Sequence, residues 1–185
     1  VTGGAGNDTI YVDDVNDAIF ELLGGGNDSV IASANYTLSA NVENLTLTGA
    51  ASVATGNASD NTLTAGLLAA LLNGGDGNDT LNGSAFGDTL NGGNGDDGLF
   101  GNDGNDMLNG GSGVNTLDGG SGDDTYVVNS ATDTIVEAAD GGNDTVVVNV
   151  DYALSAGSFI ENITLGATAL AATGNENANI ITGNA

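Results

Sequence analysis

An oxygen-bearing side chain recurs every nine residues at Asp79, Asp88, Asp97, Asp106, Asn115 and Asp124. Aspartate is short, ionised at neutral pH and a hard ligand. Together with backbone carbonyls it can build an oxygen cage of about six to eight ligands, the kind that suits Ca²⁺. Each of these residues closes a glycine-rich half-unit, as in GGDGNDTLN from Gly74 and GGSGDDTYV from Gly119. Glycines at the first, second and fourth positions are expected to take positive φ and turn their carbonyls inward. Asp8, Asp28 and Asp144 sit in similar Gly-Asn-Asp loops outside the regular run and are candidates for the same chemistry.

These carboxylates have to be positioned by very little chain. Only three residues follow each sixth position, with Leu81, Leu90, Leu99, Leu108, Leu117 and Tyr126 at their centre. Three residues suffice for a short strand with its middle side chain facing one way. Two units then form one coil, strand–loop–strand–loop, and stacked coils bury the Leu column. Alternate units fall in register: Asp79, Asp97 and Asn115 in one row, Asp88, Asp106 and Asp124 in the other. Two carboxylates about 4–5 Å apart repel by roughly 3–4 kcal/mol at an effective dielectric near 20. Burying one Leu gives about 1.5–3 kcal/mol, small against the entropy of ordering a whole unit. Folding and cation binding are therefore expected to be one event.

Gly74–Asn82 and Gly119–Val127 keep every position of the pattern G-G-x-G-x-D-x-U-x. The array resembles the RTX (repeats-in-toxin) family, whose nonapeptides bind Ca²⁺ in a β-helix. The resemblance implies an all-β fold, a parallel β-roll or β-solenoid holding several Ca²⁺ ions. It also implies metal contacts from the carbonyls of positions one, three and five. Here those are Gly74, Asp76 and Asn78; Gly92, Asn94 and Asp96; Gly101, Asp103 and Asn105; and Gly119, Ser121 and Asp123. Three units depart from the pattern. Gly83-Ser84-Ala85-Phe86 lacks two glycines, which weakens Asp88; Asn115 lacks charge; and Ala70 offers no ligand. Around Ala70, the run Leu67–Leu72 is expected to form a short helical turn over the end of the core or an exposed apolar knob.

The 185 residues include no Lys, Arg, His, Cys or Pro, and the net charge is −25. Nucleic acid is excluded as a partner, because phosphates need cationic side chains. Docking on an anionic membrane is disfavoured for the same reason, and no apolar run is long enough for insertion. There is no His or Lys base, no thiol and no serine in a nucleophile elbow, so no catalytic residue is named. Paired acids could serve a glycosidase, but here they are accounted for by the metal loops. Tyr11, Tyr36, Tyr126 and Tyr152 are read as capping or lining the core.

A second, longer motif runs from Asn7 to Gly66 and returns from Asp123 to Asn184, with Asp8 matching Asp124, Asp28 matching Asp144 and Tyr36 matching Tyr152. Short Val/Ile/Thr runs between Gly/Asn/Asp clusters read as strands, so these stretches are expected to continue the solenoid with longer coils. Three regions follow: 1–55, a long-coil repeat that begins with one RTX-like unit; 56–127, the nonapeptide array; and 128–185, the second long-coil copy. The chain starts and stops inside motifs, Val1–Gly4 and Ile181–Ala185, and reads as a segment of a longer protein with complementary ends suited to head-to-tail stacking or covalent continuation. The favoured role is a calcium-binding structural module of an extracellular bacterial surface protein, such as an S-layer, adhesin stalk or filament subunit, and not an enzyme. The resemblance implies export by type I secretion and folding on contact with external Ca²⁺. The alternative is the C-terminal folding and secretion domain of an RTX enzyme or toxin.

Overall fold

The computed structural model describes residues 1–184, so the final residue of the closing motif, Ala185, lies outside the described residues. Among these residues there is no helix; the chain winds into a parallel β-solenoid with two long faces. One face stacks eight strands in parallel: Thr9–Val12, Ser29–Ala32, Asn44–Leu47, Thr62–Thr64, Thr80–Asn82, Gly98–Asp103, Thr116–Ser121 and Thr134–Val136. The opposite face stacks nine, beginning at Tyr36–Thr37 and ending at Ile180–Thr182. A separate parallel pair joins Tyr152–Ala153 to Ala172–Thr173.

Alternation within each strand places the core. In Thr89–Asn94 the Leu90 side chain is fully buried while Thr89 and Asn91 are half-exposed. Because the side-chain period is two, fixing one leucine inward fixes the whole strand. Leu63, Leu81, Leu99, Leu117 and Ile135 stack in register on the first face. Leu72, Leu90, Leu108, Tyr126, Val146 and Ile163 do so on the second. In the array the strands are longer than the three residues expected, since Leu71–Asp76, Thr89–Asn94 and Met107–Ser112 run through into the next unit's Gly-Gly-x. That extension lets the glycine backbone join the ladder between coils, as in Gly75↔Gly93↔Gly111.

Three expectations are corrected. Leu67–Leu72 is not a helical turn: Leu71 opens a strand, Leu72 enters the core, and Leu67, Leu68 and Ala69 stay outside, giving a small exposed apolar bulge. Ala70 occupies the aspartate's place, and its N–H donates to Asp88 Oδ1 at 2.5 Å, which holds the segment in the coil. Tyr11 does not line the core but is 74% exposed, because Ile10 and Val12 take the inward positions of its strand. Tyr36, Tyr126 and Tyr152 are buried as expected. Finally, within the array positive φ falls at the second and fourth positions, such as Gly93 (116°), Gly95 (135°) and the non-glycine Asn102 (75°), and is not found at the first glycine of these units. The first glycine is required for space, as the loops show next.

Candidate metal centres

Each sixth-position residue sits just before a strand, on the turn where one face passes to the other. Its two carboxylate oxygens have separate roles. Oδ1 accepts the backbone N–H of the sixth-position residue one coil earlier: Asp79 N–H to Asp97 at 2.8 Å, Asp88 N–H to Asp106 at 2.6 Å, and Asp106 N–H to Asp124 at 2.7 Å. The side chain thus ties coil to coil and satisfies an amide that would otherwise be buried without a partner. Oδ2 points into the loop. Among the described residues, Oδ2 of Asp8, Asp28, Asp79, Asp97, Asp106, Asp124 and Asp144 is buried with no hydrogen-bond partner.

The space beside these oxygens is made by the first glycine. A Cβ on Gly74 would overlap Asp79 Oδ2 and the carbonyl of Gly92. On Gly92 it would overlap Asp97 Oδ2 and the Gly110 carbonyl, and on Gly101 it would overlap Asp106 Oδ2 and the Gly119 carbonyl. An unpaired carboxylate oxygen and a position-one carbonyl therefore converge on each cradle. This is an oxygen-only donor set, and it fits a hard cation of the Ca²⁺ type. Such an ion, when bound, would neutralise carboxylates that have no cationic side chain to meet anywhere in the sequence.

The other carbonyls named from the sequence lie in the same loops. The carbonyls of Asn94 and Ser121 each accept an N–H from the coil before, Gly77 at 3.0 Å and Gly104 at 2.7 Å, and keep a second lone pair. Asp76, on the rim, accepts the Asn94 side-chain amide at 2.8 Å, and Asp103 pairs in register with Ser121. The position-five side chains form an outer ladder of opposite polarity. Asp96 N–H donates to Asn78 Oδ1 at 2.8 Å, and Asp123 N–H to Asn105 Oδ1 at 3.0 Å.

Irregular units handle the second oxygen differently. Asp88 Oδ2 accepts both the backbone N–H (2.5 Å) and the hydroxyl (2.9 Å) of Ser84, so the glycine-poor loop supplies its own donors. At Asn115 the oxygen accepts Asp97 N–H at 2.9 Å and the amide nitrogen donates to Asp133 Oδ1 at 3.0 Å, leaving no side-chain oxygen free. Asn61 closes its own loop by accepting Asn57 N–H at 2.7 Å.

The rows also extend beyond the residues that spacing picked out. Asp8 N–H donates to Asp28 Oδ1 (2.8 Å) and Asp28 N–H to Glu43 Oε2 (2.7 Å). At the other end Asp124 N–H donates to Asp144 Oδ1 (2.8 Å) and Asp144 N–H to Glu161 Oε2 (2.9 Å). Glu43 and Glu161 were missed because their coils are not two nonapeptides long; the separations are 20 residues for Asp8–Asp28, 15 for Asp28–Glu43 and 17 for Asp144–Glu161. Asp133 lies 18 residues beyond Asn115 and was missed because no glycine-rich half-unit precedes it. The available signal was an acid immediately before each strand, as in Glu43-Asn44-Leu45 and Glu161-Asn162-Ile163.

Burial pushes five of the row aspartates up. Asp79 and Asp106 rise to about 6 and Asp124 to about 7, chiefly by desolvation, with neighbouring carboxylates adding to it and the ladder N–H opposing it. Asp97 and Asp144 are raised for the same first cause. A carboxyl raised in the fold favours the protonated folded state. Its contribution is complete below the unfolded value of about 4 and is lost as pH rises through 6–7. In chelator, β structure should therefore increase when pH falls from 8 to 5. In Ca²⁺ the sign reverses, since only the carboxylate is a ligand, and the Ca²⁺ midpoint should rise as pH falls through 7 to 6. Circular dichroism titrations at both pH values measure both effects; a pH-independent midpoint contradicts them.

Substitution separates the two kinds of aspartate. Asp97→Ala and Asp88→Ala each remove one ladder bond, but only Asp97 also carries an unpartnered Oδ2. Asp97→Ala should raise the Ca²⁺ midpoint about tenfold, or about 1.4 kcal/mol, and Asp88→Ala clearly less. Equal shifts would show that Oδ2 has no special part.

Comparison with known proteins agrees with this geometry. The model of the RTX calcium-binding nonapeptide repeat (4 copies) matches residues 1–19, 73–108 and 100–135. The endo-1,3-1,4-beta-glycanase ExsH of Rhizobium meliloti (strain 1021) is 41% identical over 64 residues, which is 35% of this chain and 14% of that protein. The chain thus spans only a small part of that relative. RTX repeats bind calcium; the segments that match this repeat hold Asp8, Asp79, Asp97, Asp106 and Asp124, five of the seven aspartates with an unpartnered Oδ2, within a parallel β-solenoid.

Proposed function

We propose that the chain is a calcium-dependent structural module of an extracellular bacterial protein, unfolded at low Ca²⁺ and folded after export. The observation that carries this reading is the set of buried, unpartnered Oδ2 atoms in a chain without a single Lys, Arg or His. The proposed ligands are the Oδ2 atoms of Asp79, Asp97, Asp106 and Asp124, with Asp8, Asp28 and Asp144 in the long coils. The position-one carbonyls complete the cradles. Regions 1–55, 56–127 and 128–185 are proposed as long-coil, array and long-coil segments of one continuous solenoid.

The favoured setting is a surface assembly, an S-layer, adhesin stalk or filament subunit, in which such coils act as a stiff spacer and stack end to end. A second reading is favoured by the likeness to the Rhizobium meliloti glycanase: a folding and secretion module attached to an enzyme. In either setting the module itself is proposed to be non-catalytic, its inward carboxylates serving as ladder acceptors and metal ligands.

In chelator the isolated chain at pH 8 should be largely unfolded, and it should gain β structure at about 10⁻⁴–10⁻³ M Ca²⁺. Circular dichroism measures this, and an unchanged β spectrum in chelator would sink the proposal. Incubating the Ca²⁺-loaded chain with a 1,3-1,4-β-glucan and assaying reducing ends should show no release; release above that of a chelated control would overturn the non-catalytic reading.

A further inference from the structure

The row on the second face leaves the 18-residue spacing at Asp124. Between Asp106 and Asp124 the coil is 18 residues long, and between Asp124 and Asp144 it is 20. A third acid enters this longer coil. Asp124, Glu137 and Asp144 each bring one carboxylate oxygen within 4.8 Å of the other two, and all three residues are buried. Asp124 Oδ2 and Asp144 Oδ2 have no partner. Glu137 Oε1 accepts its neighbour's N–H, Ala138, at 2.9 Å, and Oε2 accepts the Tyr126 hydroxyl.

The first long repeat shows the same backbone without this arrangement. There Ile10 stands where Tyr126 stands in the second copy, and Glu21 stands where Glu137 does. Glu21 uses both oxygens on backbone amides, Gly3 N–H at 2.7 Å and Gly4 N–H at 3.1 Å. In the second copy the Tyr126 hydroxyl accepts the N–H of Gly119, the counterpart of Gly3, at 2.9 Å. Tyr126 thereby takes over an amide that the glutamate would otherwise cover, and Glu137 is left to face the two aspartates. Three carboxylates in this gap replace the two of an array gap.

We propose that Asp124, Glu137 and Asp144 form a composite cation site outside the nonapeptide pattern, taking Ca²⁺ through three carboxylates with Tyr126 as the residue that positions Glu137. This rests on the reading that the rows hold Ca²⁺. It adds that one gap has a ligand no repeat unit supplies, and affinity at such sites is set by ligand charge and rigidity. Tyr126, hydrogen-bonded to a ligand, also gives the site its own optical signature. Tyr11 is exposed, while the hydroxyls of Tyr36 and Tyr152 bond to the carbonyls of Asp17 (3.0 Å) and Asp133 (2.8 Å).

The test uses terbium(III), a hard-cation substitute whose emission is excited through nearby tyrosine, on the whole chain. Folding of each variant is checked by circular dichroism in millimolar Ca²⁺. Tyrosine-excited emission should fall by more than half in Tyr126→Phe. In Glu137→Gln the emission midpoint, and the Ca²⁺ concentration that displaces terbium, should each move about tenfold. Glu21→Gln should leave both unchanged. Glu137→Asp, which keeps the charge but withdraws it, serves if the glutamine variant does not fold and should also weaken the site. A Glu137 variant that folds and titrates as wild type overturns the composite site, even where Asp97→Ala still shifts the array's Ca²⁺ midpoint. Loss of any Ca²⁺ response in the wild-type dichroism would instead overturn the underlying reading.

Discussion

The structure depends on a carboxylate that is only half satisfied by protein. In every regular coil an aspartate is held almost wholly out of water, its Oδ1 bonded to the amide of the preceding coil. Its Oδ2 is then fixed in the loop with nothing to pair with. Leaving an ionised oxygen so placed is costly, and repeating it along two rows compounds the repulsion. The geometry that stacks the coils therefore creates the demand for a cation. In the proposed function the residue that provides the stacking bond is also the ligand, which couples coil assembly to metal binding.

Glycine and leucine complete the coil with little else. The first glycine leaves room where a Cβ would strike Asp79 Oδ2 or its equivalents, and the second and fourth allow a backbone that L side chains rarely adopt. One inward leucine per strand gives each face a continuous apolar column, Leu63 to Leu117 on one side and Leu72 to Leu108 on the other. Where the aspartate is replaced, protein groups stand in for a cation. Asn61 and Asn179 each accept an N–H of their own loop and donate the amide nitrogen to carbonyls of the coil before. Ser84 does the equivalent for Asp88. These loops close on protein hydrogen bonds alone.

Much of this was legible in the residues. Nine-residue spacing predicts the two-unit coil, the inward leucines and the separation of Asp79–Asp97 from Asp88–Asp106, because a strict period leaves the chain no choice of register. Legibility failed where the period failed. Glu43, Glu137 and Glu161 lie in coils of other lengths, so the nine-residue count alone does not bring them to the rows. The role of Ser84 was hidden because a missing glycine reads as a defect, while its hydroxyl and amide serve as donors. The first glycine was assigned a conformational role because spacing shows that a glycine is needed, not whether φ or volume requires it. Leu67–Leu72 misled because an apolar run overrode the position of Ala70 in the nonapeptide count.

The central claim is that the inward oxygens, and not the acidic rim, hold the ions. A crystal structure grown in millimolar Ca²⁺, with anomalous scattering measured to locate calcium, tests this most directly. The account predicts ions inside the loops against Oδ2 of Asp79, Asp97, Asp106 and Asp124, with none drawing on an Oδ2 of Asp88. Ions held only by the outer carboxylates of Asp76, Asp96, Asp103 and Asp123, with the inward oxygens bare, would contradict it.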